Sequence, residues 1–113
     1  MAGDLGRLWG FIGEEASRYR RLARNWGDPN RKALLGLAAD ALEKVADEIL
    51  DGRVNPATVE NLARLARLFK TFGLPYKKLD VIRRLVSKYV DYGYSEAYLG
   101  GVGYSGDLIG LPA

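Results

Sequence analysis

Two Asx-Pro dipeptides divide this chain. Asp28-Pro29 and Asn55-Pro56 each set a capping side chain directly before a proline. The proline's fixed φ and missing N–H suit the first position of a helix. Behind the first, Leu34, Leu35, Leu37, Ala38, Ala41, Leu42, Val45, Ala46, Ile49 and Leu50 recur at helical spacing as far as Gly52. Behind the second, Val59, Leu62, Ala63, Leu65, Ala66, Phe69 and Phe72 do the same as far as Gly73. Glycine just past the last periodic residue is the usual helix stop. A third helix is expected from near Pro75, carrying Leu79, Val81, Ile82, Leu85, Val86, Tyr89 and Val90 and ending before Gly93. Connections this short make successive helices antiparallel neighbours.

The flanks read differently. Gly6, Gly10 and Gly13 fall within nine residues near the start, and each costs a helix interior about 1 kcal/mol relative to alanine. From Glu14 to Trp26 no glycine occurs. Residues 1–27 are therefore expected to form a basic, aromatic helical arm, bent near Gly10 or Gly13 and ordering on contact with a partner. Residues 28–92 form the helical core. Residues 93–113 hold six glycines with Tyr94, Tyr98 and Tyr104 among them, and end in the apolar run Leu108-Ile109-Gly110-Leu111-Pro112-Ala113. An apolar tail packs on something, either back over its own bundle or on a neighbouring subunit. The expected fold is all-α: a small antiparallel bundle with an extended N-terminal arm and an irregular Gly/Tyr-rich C-terminal tail.

At 113 residues the chain fits one domain. It lacks Cys and His, which excludes disulfides, thiolate metal sites, cysteine nucleophiles and imidazole bases. No nucleophile–base pair stands out, so an enzyme is not expected, nor a cofactor or small-molecule substrate. Asp40, Glu43 and Asp47 share one helix face at spacings that can hold a metal in a bundle core. Aliphatic residues already supply that core face, so these acids are expected outside, in water or against a basic face of another subunit. Gly100-Gly101-Val102-Gly103 lacks the Lys-Ser/Thr ending of a phosphate-binding loop. Arginine outnumbers lysine 11 to 6 and glutamine is absent, a composition that points to a hot habitat. No stretch approaches the roughly 20 apolar residues of a membrane-spanning helix. The first residues do not read as a secretory signal, so the chain is expected inside a cell or in a particle assembled there.

Charge is unevenly distributed. Residues 7–32 carry seven bases and three acids, net +4; residues 33–52 carry one base and five acids, net −4; residues 53–90 carry nine bases and two acids, net +7. With a pI near 9.3, such blocks fit a polyanion binder, although they also suit a solvated helical surface. Arg18, Arg21 and Arg24 make one helical stripe, and Arg20 with Arg24 an adjacent one. Trp9, Tyr19 and Trp26 lie among them. Arg64, Arg67 and Lys70 make a second stripe, and Lys77, Lys78, Arg84 and Lys88 a further cluster. Cations of this kind neutralise phosphates without reading sequence. The helix over 56–72, the Gly73-Leu74-Pro75 break and the next helix also have the outline of a helix-turn-helix. That second helix offers few side chains for base edges beyond Arg83 and Arg84. A helical protein–protein adapter and a small helix-turn-helix regulator are the alternatives.

The stretch from Leu68-Phe69-Lys70-Thr71-Phe72-Gly73-Leu74-Pro75 to Val86-Ser87-Lys88-Tyr89-Val90-Asp91-Tyr92-Gly93 resembles the C-terminal helical pair of coat proteins from rod-shaped and filamentous archaeal viruses. Arg18-Tyr19 through Asn25-Trp26-Gly27-Asp28-Pro29 is similar to the basic aromatic arm that enters that bundle. The resemblance spans about residues 18–93 and lies in pattern rather than in a diagnostic motif. No long Ser/Thr-rich leader precedes residue 14, which departs from it. The resemblance implies a virion subunit, assembled in the host cytoplasm. Such a subunit dimerises with itself or a paralogous coat protein, polymerises along linear double-stranded DNA and holds it in A-form. It would place Arg18, Arg20, Arg21, Arg24, Arg31 and Lys32 on phosphates, with Arg64, Arg67 and Lys70 able to join them. The apolar tail would be a strap between subunits. Nothing in the sequence indicates a membrane envelope.

Overall fold

A computed structural model describes residues 2–91. It contains four helices, α1 (Ala2–Asn25), α2 (Pro29–Leu50), α3 (Pro56–Thr71) and α4 (Lys77–Val86), the last running into a 3-10 turn over Ser87–Tyr89. Among the described residues no strand forms, so the all-α expectation holds. The expectations for the tail over 93–113 lie outside the described residues. No helix among those described is long and apolar enough to cross a membrane.

Both Asx-Pro signals act as read. Asp28 accepts a hydrogen bond from the Asn30 amide at 3.1 Å, and Asn55 accepts one from Ala57 at 2.9 Å. Each thereby satisfies an amide that the first helical turn leaves free. The start of α3 is tied down further by Glu48 near the end of α2. Its carboxylate accepts from the Asn55 amide and the Thr58 hydroxyl, both at 2.9 Å. Gly52 and Gly73 both take φ near 72°, the left-handed region that a side chain disfavours. After each glycine the next amide reaches back five residues, Arg53 to Glu48 and Leu74 to Phe69. This double-bonded ending absorbs the last free carbonyls.

The N-terminal segment differs from the expected bent, projecting arm. α1 is a single uninterrupted helix that lies along α2 and also touches α4. Leu8, Ile12, Ala16 and Tyr19, on one side of it, are buried in the same core as Leu35, Leu42, Val45 and Ile49 of α2. The Tyr19 ring meets Phe69 of α3 at 5.3 Å between centroids, tilted by 59°. Burial of this apolar side outweighs the helix-weakening glycines. Gly6, Gly10 and Gly13 have nothing within 4 Å of where a Cβ would stand. The core is thus built from four helices, with α1 as a full member.

A small clasp closes the bundle. Val54, between α2 and α3, forms an isolated parallel bridge with Val90. Its amide donates to the Tyr89 carbonyl at 3.1 Å and its carbonyl accepts from the Asp91 amide at 3.0 Å. Arg53 adds an ion pair to Asp91 at 2.9 Å.

Candidate nucleic-acid interface

The topology gathers cations that are scattered in sequence. α2 and α3 form an antiparallel hairpin, so the start of α2 and the end of α3 share one end of the bundle. Arg31 marks the junction: its Nε donates to the Phe72 carbonyl at 2.8 Å, and its guanidinium sits 5.8 Å from the Phe72 ring centre. The three-residue turn from α1 and the short loop into α4 bring the end of α1 and the start of α4 to the same place. The segments that converge there, 21–32 and 67–78, hold eight bases, Arg21, Arg24, Arg31, Lys32, Arg67, Lys70, Lys77 and Lys78. They hold one acid, Asp28, and it is paired with Arg31.

From this basic end a stripe runs along the exposed side of α3. Arg64, Arg67 and Lys70 are all exposed. Arg64 and Arg67 line a shallow depression of about 340 Å³ with Glu60 and Asn61, and Asn61 accepts from the Arg64 guanidinium at 2.6 Å. Arg67 and Lys70 line a second depression of about 370 Å³, between α3 and α4, with Tyr76, Asp80 and Arg83. The Lys70 ammonium lies 5.7 Å from the Tyr76 ring centre. Asp80 is occupied by Arg83 at 2.9 Å and by Arg84 at 3.7 Å, so its charge is largely balanced. Sequence reading did not place Tyr76 in a site, and it named Arg83 only for base edges in the helix-turn-helix alternative. Only the α3–α4 packing brings them beside Arg67 and Lys70.

Three of the expected phosphate-binding arginines are held by the chain's own groups. Arg20 bridges α1 to α2, meeting Asp40 at 2.8 Å and Glu43 at 2.7 Å, with a second contact to Glu43 at 3.1 Å. The hydrogen bonds to Glu43 and Asp40 hold its guanidinium still more firmly charged. Those two acids therefore lie outside the core, as expected, but they answer a base of the same chain. Arg18 pairs at 3.0 Å with Glu15, whose side chain is only 4% exposed. A buried carboxylate needs such a partner. Arg31 is taken up by Asp28 and the Phe72 carbonyl. Arg21, Arg24 and Lys32, by contrast, are exposed and enter no ion pair among the described residues.

Two of the aromatics read among these bases serve packing. Tyr19 is fully buried and Trp26 half-buried against the core, while Trp9 is 46% exposed on α1. Among the described residues no three potential metal ligands cluster. No protein-family model, curated protein or solved structure matches the chain.

Proposed function

We propose that this chain is a structural nucleoprotein that coats double-stranded DNA through phosphate contacts indifferent to base sequence. The reading is carried by one observation: eight bases and one paired acid converge at a single end of the bundle, continuous with the exposed α3 stripe. Arg21, Arg24, Lys32, Arg64, Arg67 and Lys70 are the contact residues in this reading, with Lys77 and Lys78 beside them. Arg18, Arg20 and Arg31 hold the bundle together and contribute less.

The resemblance to coat proteins of rod-shaped and filamentous archaeal viruses supplies the biological setting: copies of the chain, alone or with a paralogous partner, polymerise along linear duplex held in A-form, within a virion. Trp9, Leu37 and Leu50, exposed by 46%, 55% and 67%, are apolar groups that contact between copies would cover. They equally support the second reading, a helical protein–protein adapter.

Salt separates the two. With six phosphate contacts, affinity for random duplex falls on the order of a thousandfold between about 50 and 200 mM salt, and two unrelated duplexes bind alike. Replacing Arg64, Arg67 and Lys70 with alanine lowers the salt slope by about 0.9 per lost contact and leaves the helical signal intact. Arg20→Ala alone leaves the slope unchanged. Binding that ignores salt, or that selects one duplex, overturns the proposal. Absence of binding together with self-association or capture of a protein partner favours the adapter.

A further inference from the structure

At the opposite side of the bundle, α1 and the end of α4 leave a cleft of about 380 Å³ lined by Asp4, Arg7, Leu8, Phe11, Leu85, Lys88 and Tyr89. Its floor is apolar, made by Leu8, Phe11, Leu85 and the Tyr89 ring. Its rim is charged. Arg7 and Lys88 are exposed there and neither enters an ion pair among the described residues. Asp4 shares the rim, which leaves it with one excess positive charge.

We propose that residues 107–111 of the same chain, Asp107-Leu108-Ile109-Gly110-Leu111, occupy this cleft. Three observations select that occupant. The first is chemistry: between residues 92 and 113 the only acids are Glu96 and Asp107, there is no base, and Asp107 alone is followed directly by two bulky aliphatic residues. A carboxylate next to Leu108 and Ile109 matches a cationic rim over an apolar floor. The second is position: Tyr89 forms part of the cleft wall and the described chain ends two residues later at Asp91, so the segment departs from the edge of its own seat. The third is reach. Fifteen residues lie between Asp91 and Asp107, an extended span on the order of 50 Å, enough to return to the cleft. A tethered segment meets its seat at an effective concentration in the millimolar range. The chain's own segment therefore fills the cleft before a second copy's does at ordinary protein concentrations. Leu108 and Ile109 cover the apolar floor and Asp107 answers Arg7 and Lys88. This inference is independent of the DNA reading, since no residue of the basic end takes part.

The absence of cysteine makes the test clean. Ser105→Cys carries a nitroxide two residues before Asp107, on the full-length protein with labelled Leu and aromatic side chains. The expected result is broadening of the Leu8 and Leu85 methyl and the Phe11 and Tyr89 ring signals, unchanged on dilution, with Leu34 and Leu42 sharp. Adding Leu108→Asp and Ile109→Asp cuts the seated fraction about tenfold or more. Asp107→Lys weakens the broadening, and Arg7→Glu with Lys88→Glu restores it. Circular dichroism of each variant verifies the fold. Broadening elsewhere, or none, overturns the proposal. Broadening that appears only when spin label and isotope are on different molecules also overturns it, and assigns the cleft to a second copy.

Discussion

Tyr19 carries a buried hydroxyl that makes no hydrogen bond of normal geometry among the described residues, although the Glu15 carboxylate lies close to it. Burial, then the charge of nearby Glu15, pushes its phenol well above the usual tyrosine range. A buried polar group without a partner costs on the order of 1–3 kcal/mol. Tyr19→Phe keeps the ring against Phe69 and removes that cost, so its urea midpoint rises; a fall would reveal a partner for the hydroxyl. The pH dependence has a definite sign. The neutral phenol is favoured in the folded state, so its contribution is complete below the ordinary tyrosine value, about 10, and is lost as pH climbs past it. The alkaline loss of stability is accordingly shallower in Tyr19→Phe. Asp28 works in the opposite direction. The Asn30 amide, then the Arg31 guanidinium, hold its carboxyl below the ordinary value of 3.8. Its stabilisation is complete above that value and disappears as pH falls through the lower, folded-state one. Asparagine can cap but cannot titrate, so Asp28→Asn has a flatter acid limb in urea titrations repeated from neutral pH downward.

The helices themselves were the most legible part of the sequence, because caps, prolines and glycines act over a few residues. α2 and α3 begin at the prolines and stop before the glycines that the pattern marks. Asn55→Ala removes the α3 cap and is expected to cost about 1 kcal/mol, or roughly 4–8 °C in Tm for a domain of this size. A change below one degree would show that Glu48 alone holds that helix start. α1 was harder to read. Leu8, Ile12, Ala16 and Tyr19 do keep helical spacing, but the glycines at 6, 10 and 13 suggest a break, and propensity is a weak guide where one side is buried. The buried Glu15 adds to the disguise, since a carboxylate in that stripe reads as surface until Arg18 is seen pairing with it.

At the scale of the whole molecule the sequence was least informative. Arg20 meets Asp40 and Glu43 across gaps of 20 and 23 residues, a juxtaposition set by how α1 lies on α2 and not by any local pattern. The same is true of the basic end, whose members come from two distant segments. Because α1 supplies four buried side chains to the common core, deleting residues 1–25 removes the fold and not an appendage. The truncated chain is expected to lose most of its helical circular dichroism, whereas an independent three-helix core would retain it. The clasp at Val54 has a mechanical corollary. A pull on the chain beyond Asp91 meets the two hydrogen bonds at Val54 and the Arg53 ion pair before it can peel α4 from its seat. Tension would thus be passed to the junction between α2 and α3, near the middle of the chain, leaving the last helix shielded from the load.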